Sequence, residues 1–344
     1  MSYIKNDDDF IDKLTHAIEF NSFEQVHDII NNYSNIQNVD INKPNKGGNT
    51  ALELTIRCNT NDKIIKYVCK TFKDRIHVNK QGKGYTPLML AMQNNIKDDI
   101  IQWLCHIFKD TIDINKQNKN FDYTALMLAI QNKKNITVIK NVCKTFKDTI
   151  DINKQNNNGY TALMIAVKHN KNEKVIKYLC KTFKNTIDIN KQDNDGNTAF
   201  MLAVQYKMNV KVIQYLCDTF KDTIDINIQN KYDRTALMLA IDYFTNIEVI
   251  QYLCSTFKKK IDINKQDNFG YTILILAVYN TTNVELIQYL CNTFKDTIDI
   301  NKKNKNGYTV LMLAAQYNTN FEVIQYLCNT FKDTIDINKQ DNDG

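Results

Sequence analysis

Apolar positions recur along this chain as pairs of short stripes separated by polar breaks. In one stretch, Ala162-Leu163-Met164-Ile165-Ala166-Val167 is a continuous apolar run and His169-Asn170-Lys171-Asn172 is polar. Val175, Ile176, Leu179, Cys180 and Phe183 then return at the spacing of one helical face. Thr161 stands where its hydroxyl caps the first helix. In another copy Pro87 follows Thr86, at the helix position that needs no N–H. The next stretch, Asn185-Thr186-Ile187-Asp188-Ile189-Asn190, is short and β-tending, and Asn194-Asp195-Gly196 supplies a tight turn.

The pattern is periodic. Thr50, Thr86, Thr124, Thr161, Thr198, Thr235, Thr272 and Thr309 are separated by 36, 38 and then 37 residues throughout. Cys69, Cys105, Cys143, Cys180, Cys217, Cys254, Cys291 and Cys328 each follow their threonine by 19 residues. Two landmarks at a fixed offset define eight copies of one unit. A single helix pair cannot bury its apolar face, so neighbouring copies must stack. Residues 1–42, with amphipathic stretches at 10–18 and 23–30, read as a degenerate capping unit ahead of eight repeats over 43–335. Residues 336–344 begin a ninth unit and stop where its threonine is due, so the chain either ends in an unsealed repeat or is a fragment.

Gly159-Tyr160-Thr161-Ala162-Leu163-Met164-Ile165-Ala166, followed by Val175-Ile176-Lys177-Tyr178-Leu179 and Asp188-Ile189-Asn190, resembles the ankyrin repeat. The resemblance covers residues 40–344 and implies an all-α ankyrin-repeat solenoid of helix-turn-helix units with short β-hairpin-like tips. The unit exceeds the usual 33 residues, and Thr-Pro-Leu-His has become Thr-Ala-Leu-Met. The inter-repeat hydrogen bonds that this histidine makes in the family are therefore not carried over to this chain. Asparagine numbers 47, about 14% of the chain, beside abundant Ile, Lys and Tyr. This is an A/T-rich codon signature, and the composition resembles ankyrin proteins of giant DNA viruses or A/T-rich protists.

Catalytic chemistry finds little support. The histidines (His16, His27, His77, His106, His169) lack metal-ligand spacing. Four serines occur, none in a nucleophile motif, and Gly82-Lys83-Gly84 is the tip of repeat 2 rather than a phosphate loop. Eight of nine cysteines share one structural position. Repeat stacking at roughly 10 Å, as the resemblance implies, is too wide for the roughly 4.4–6.8 Å Cα separation of a disulfide. These eight are expected to be inert core thiols, and Cys58 is the one partly exposed candidate. No catalytic residue, metal, disulfide or cofactor is expected. The acidic N-terminus lacks an apolar leader, no run approaches the roughly 18 apolar residues of a spanning helix, and a soluble, monomeric, cytoplasmic (or host-cytoplasmic, or nuclear) protein is expected.

Comparing the eight copies separates scaffold from free positions. Counted from the threonine, variation falls at −4, −3 and −1 and at +7 and +8. In ankyrin proteins these resemble the tips and inner-helix residues that line a concave groove. At +7/+8 the later repeats carry Tyr206, Tyr243, Tyr279 and Tyr317, where earlier ones have Arg57/Cys58, Gln93/Asn94, Gln131/Asn132 and Lys168/His169. At −3 stand Phe121, Tyr232 and Phe269. Tyrosine is enriched at interface hot spots, whereas codon bias explains the same residues without function. Charge is uneven: residues 1–42 carry −6, residues 43–184 carry +15 and residues 185–344 carry −3. Many lysines of the basic block (Lys70, Lys73, Lys144, Lys147, Lys181, Lys184) fall on second helices and read chiefly as a solvated face. The expected function is a non-enzymatic scaffold binding a protein through the groove, at Tyr206, Tyr232, Tyr243, Phe269, Tyr279, Tyr317, Phe121, Lys168, His169 and Arg57. One alternative is that basic repeats 1–4 bind an acidic partner or nucleic acid. Another is an adaptor for ubiquitin-type machinery whose effector segment lies outside this chain. No membrane partner is expected.

Overall fold

The computed structural model describes residues 4, 6–58, 61–94, 96–170, 172–243, 247–280, 283–317 and 321–343; the side chains of Asn170 and Tyr317 lie outside that description. The chain divides into two compact units, residues 1–170 and 171–344. The first contains α1 (Asp7–Glu19), α2 (Phe23–Asn32), α3 (Ala51–Arg57), α4 (Asp62–Thr71), α5 (Pro87–Gln93), α6 (Asp98–Ile107), α7 (Ala125–Gln131), α8 (Ile136–Thr145) and α9 (Ala162–Ile165). A π-helical turn, Ala166–Asn170, continues α9. The second unit contains α10 (Glu173–Thr182), α11 (Ala199–Gln205), α12 (Val210–Phe220), α13 (Ala236–Tyr243), α14 (Ile247–Phe257), α15 (Ile273–Asn280), α16 (Val284–Phe294), α17 (Val310–Tyr317) and α18 (Phe321–Thr330). Within each unit first helices lie beside first helices (α3, α5, α7; α11, α13, α15, α17). Second helices likewise follow one another (α6 with α8; α10, α12, α14, α16, α18), and α1 packs on both α2 and α3.

Every first helix starts the way its threonine predicts. Thr50, Thr86, Thr124, Thr161, Thr198, Thr235, Thr272 and Thr309 each accept the N–H three residues on, at 3.1–3.4 Å. Such a cap contributes about 1 kcal/mol. The methionine standing in the family's histidine position turns inward. In five repeats its Sδ accepts the threonine N–H at 3.4–3.5 Å, a weak local capping box that makes no bridge between repeats. Repeat 1 has Glu53 there. Its carboxylate accepts Thr50 N–H at 2.9 Å and also Gly82 N–H of repeat 2 at 2.7 Å.

The bridges come from asparagine and glutamine. Asn264 donates through Nδ2 to the Thr297 carbonyl at 2.6 Å and accepts Asp299 N–H through Oδ1 at 2.8 Å. The equivalent Asn42, Asn79, Asn115, Asn190, Asn227 and Asn301 do the same to the following repeat. A parallel row runs from Gln81 to the Gln117 carbonyl, Gln117 to Gln155, Gln192 to Gln229, and Gln229 to Gln266. Further asparagines cap second helices (Asn61, Asn135, Asn172, Asn209, Asn283). Asparagine at repeated positions is therefore structural as well as a codon signature. The stretch 185–190 is turn and irregular chain, not strand. With side-chain amides joining neighbouring repeats there, no second strand pairs with it. Among the described residues the β-pairing is limited to isolated bridges, Gly82 with Tyr85 and Gln192 with Thr198.

Seven of the repeat cysteines are buried, Cys328 is half-buried, and Cys58 is exposed; all nine are free thiols. Burial pushes the thiol of Cys69, Cys105, Cys143, Cys180, Cys254 and Cys291 up to about 12, and that of Cys217 upward likewise.

Candidate functional site

The tips are rigid turns built around one Asn or Asp. In repeat 7, Asp267 N–H donates to the Tyr271 carbonyl at 3.0 Å and Gly270 N–H donates back to the Asp267 carbonyl at 2.8 Å. The Asp267 carboxylate accepts the N–H groups of Phe269 and Tyr271, both at 2.9 Å. This is an Asx turn, the device that lets a short polar side chain stand in for backbone. Asn156, Asp193, Asn230 and Asn304 build the same turn. Successive tips are then tied by backbone: Asn268 N–H to the Tyr232 carbonyl and Lys305 N–H to the Phe269 carbonyl, each at 3.0 Å. Close stacking explains the glycine at φ +80° in position 270, where a Cβ would lie 2.7 Å from Lys305 N. Asp233 occupies the equivalent place in repeat 6 at φ +57°.

This geometry presents the −3 residues outward. Phe121, Tyr232 and Phe269 are 52%, 50% and 57% exposed. Tyr232 and Phe269 stand on adjacent, hydrogen-bonded tips of the second unit. Tyr279, at the end of α15, is 45% exposed. Tyr206 and Tyr243 are half-buried at the ends of α11 and α13, and the Tyr317 side chain lies outside the described residues. Arg57, Phe121, Lys168 and His169 belong to the first unit. Arg57 is half-buried, with a buried Nε that has no hydrogen-bond partner. His169 is exposed on the π-helical turn, its pKa lowered by burial and by Lys168.

The −1 position differs from the sequence expectation. Asn49, Tyr123, Tyr160 and Asn197 are buried and Tyr85, Arg234, Tyr271 and Tyr308 half-buried, so no −1 side chain is as open as those at −3 in repeats 3, 6 and 7. The reason is a contact between −1 and +7 of the same repeat. Lys168 donates to Tyr160 Oη at 2.5 Å and sits 4.2 Å from its ring centroid. Gln131 donates to Tyr123 Oη at 3.4 Å. Arg234 pairs with Asp242, and the Tyr271 and Tyr279 rings lie 5.5 Å apart. A residue at +7 is thus chosen partly by its own −1 neighbour.

The residues missed in the sequence gather around this pairing in repeats 6 and 7. Arg234 also faces Asp267 at 3.4 Å, whose side chain is wholly buried. Asn280 donates to Asp242 at 2.6 Å. Burial, and secondarily Asp267, raise the Asp242 pKa against the opposing effect of Arg234. The available signal for Arg234 and Asp242 was the complementary chemistry of −1 and +7, which touch in repeats 3, 4, 6 and 7.

A family model described as ankyrin repeats in three copies matches residues 14–118, 98–193, 181–267 and 255–341. The chain belongs to the ankyrin-repeat family, and its fold is the ankyrin-repeat solenoid. Among solved structures it is similar to the crystal structure of the ankyrin repeat domain of Bcl-3, a member of the IκB protein family. The identity is 22%, the match covers 71% of this chain and 99% of that chain, and the TM-score is 0.56. No curated protein matches it. Ankyrin repeats are in general protein–protein interaction modules, and proteins built from them are typically non-enzymatic scaffolds. No helix among the described residues is long and apolar enough to cross a membrane.

Proposed function

We propose that this chain is a non-enzymatic scaffold that holds a protein partner on the surface formed by its tips and first-helix ends, with the aromatic second unit dominating affinity. The observation that carries this reading is the set of exposed rings on rigid supports. Tyr232 and Phe269 sit on tips locked to each other by backbone hydrogen bonds, and Tyr279 stands beside them. Exposed aromatics that are already ordered bind with little further loss of side-chain entropy. The scaffold acts as a monomer in the cytoplasm of a virus-infected or A/T-rich protist cell, with Tyr206 and Tyr243, at the ends of α11 and α13, extending the same face.

The test is a quantitative pull-down from a eukaryotic lysate, with and without nuclease, at low and high salt. It compares the native chain with one carrying Tyr206, Tyr232, Tyr243, Phe269, Tyr279 and Tyr317 all replaced by Ala. A discrete protein retained at high salt by the native chain and lost from the folded variant is expected. Equal retention by both rejects the aromatic face. A second reading draws on exposed Lys70, Lys73, Lys144 and Lys147 on and after the second helices of the first unit, which would attract an acidic partner or nucleic acid. Loss of all binding on salt or nuclease treatment would favour it.

A further inference from the structure

Resting on that reading, we propose that the aromatic corner of Phe269, Tyr271 and Tyr279 receives a lysine or arginine side chain from an extended segment of the partner. The three rings come from one tip and the end of α15. Phe269 and Tyr271 have centroids 6.2 Å apart at 37°, and Tyr271 and Tyr279 are 5.5 Å apart at 39°. Rings tilted in this way form a faceted wall, and Phe269 and Tyr279 are about half exposed to solvent. A ring face attracts a cation held within about 6 Å of its centroid.

The chain already uses this chemistry. In repeat 4 the −1/+7 pair is Tyr160 with Lys168, ring and cation together. On the tip of repeat 6, Lys231 lies 5.1 Å from the centroid of Tyr232. Repeat 7 has a second ring where repeat 4 has its lysine. The charge beside it points the same way. Arg234 is one cation between two carboxylates, Asp242 and Asp267, and leaves one negative charge over. Of the other charges on and beside these tips, Lys231 pairs with Asp195, Asp233 and Lys305 carry opposite single charges, and Lys265 holds its ammonium on Gln229 Oε1 at 3.0 Å. Residues 185–344 carry −3 as a whole, which disfavours an acidic segment, whereas a basic side chain meets both that charge and the rings.

The experiment pans the full chain against a phage-displayed library of random dodecapeptides. An enriched peptide is then titrated by fluorescence polarisation, as selected and with its basic residue replaced by norleucine. Enrichment of a fixed Lys or Arg is expected, with norleucine weakening binding about 2- to 30-fold. That penalty should shrink towards none on Tyr279→Leu or Phe269→Leu chains, whose helical circular dichroism is unchanged. Peptides that need the rings but carry no basic residue would overturn the cation site and leave the aromatic face standing. Peptides indifferent to both substitutions, or no enrichment at all, would overturn both.

Discussion

Gly82→Ala should destabilise the first unit through a carboxylate that lies 29 residues away in sequence. Glu53 is 1% exposed, and its two oxygens accept Thr50 N–H at 2.9 Å and Gly82 N–H at 2.7 Å. A methyl group on Gly82 would stand 2.2 Å from both oxygens. Gly82 does not have a positive φ, so alanine carries no backbone strain there and the carboxylate must move instead. Moving it gives up two hydrogen bonds to a charged acceptor, each contributing about 1.5–3 kcal/mol, part of which water restores. The net loss should be about 2–4 kcal/mol. In a Glu53→Ala chain the obstacle is gone. Gly82→Ala should then change sign and stabilise by about 0.5 kcal/mol through the unfolded state. The four chains of this cycle can be compared by urea unfolding followed through the fluorescence of Trp103, the single tryptophan, which lies on α6 of the same unit. Additivity within about 0.5 kcal/mol would refute the reasoning, because it would mean the glycine and the glutamate do not share one site.

Asn264→Ala removes a donor to Thr297 and an acceptor for Asp299, and should cost about 1–3 kcal/mol; hydrogen exchange at the Asp299 amide should accelerate while the core of α15 stays protected. Asp233→Gly relieves a left-handed backbone at φ +57° and should raise stability by about 1 kcal/mol. Gly270→Ala should lower stability by about 2 kcal/mol or more, since it combines that strain with a contact to Lys305; equal urea midpoints for these two variants would contradict the stacked-tip geometry. Folding raises the thiol pKa of the buried cysteines from 9.0 to about 12, so the stability from keeping them neutral is complete below pH 9. It falls as pH rises, because the unfolded chain releases thiol protons that the folded chain retains. The urea midpoint should therefore drop between pH 9 and 10.5, and Cys143→Ala should reduce that slope by about 1.4 kcal/mol per pH unit.

The repeat was legible because its apolar stripes and capping threonines are local. Thr161 and the run after it predict a helix start from physics acting within one turn. Asparagine was harder to read. Asn172 caps a helix, Asn190 bridges to the next repeat and Asn156 closes a tip, yet all three have the same composition and the same codon explanation. Only their partners, 2, 33 and 4 residues away, distinguish them. The pairing of −1 with +7 was hidden for a related reason. The pair crosses from one kind of structure to another: −1 lies in the irregular chain before the capping threonine and +7 about two turns on, at the end of the first helix, so no single periodicity links them. Tyr160 and Lys168 consequently read as two independent variable positions. Arg234 and Tyr271 stand out only as members of the variable −1 position, and nothing in one copy taken alone marks out Asp267.

The asparagine rungs bear on how such a gene can change length. Each rung is an amide from one copy and a backbone carbonyl and N–H from the next, and Asn227, Asn264 and Asn301 offer the same amide to the same kind of receiver. Removing one 37-residue period from the second unit, for instance between Thr235 and Thr272, therefore joins an unchanged donor to an unchanged acceptor. Unequal crossing-over between copies would thus yield chains that fold on arrival. Natural selection could then act on which tips had been gained or lost, without first having to repair the frame that carries them.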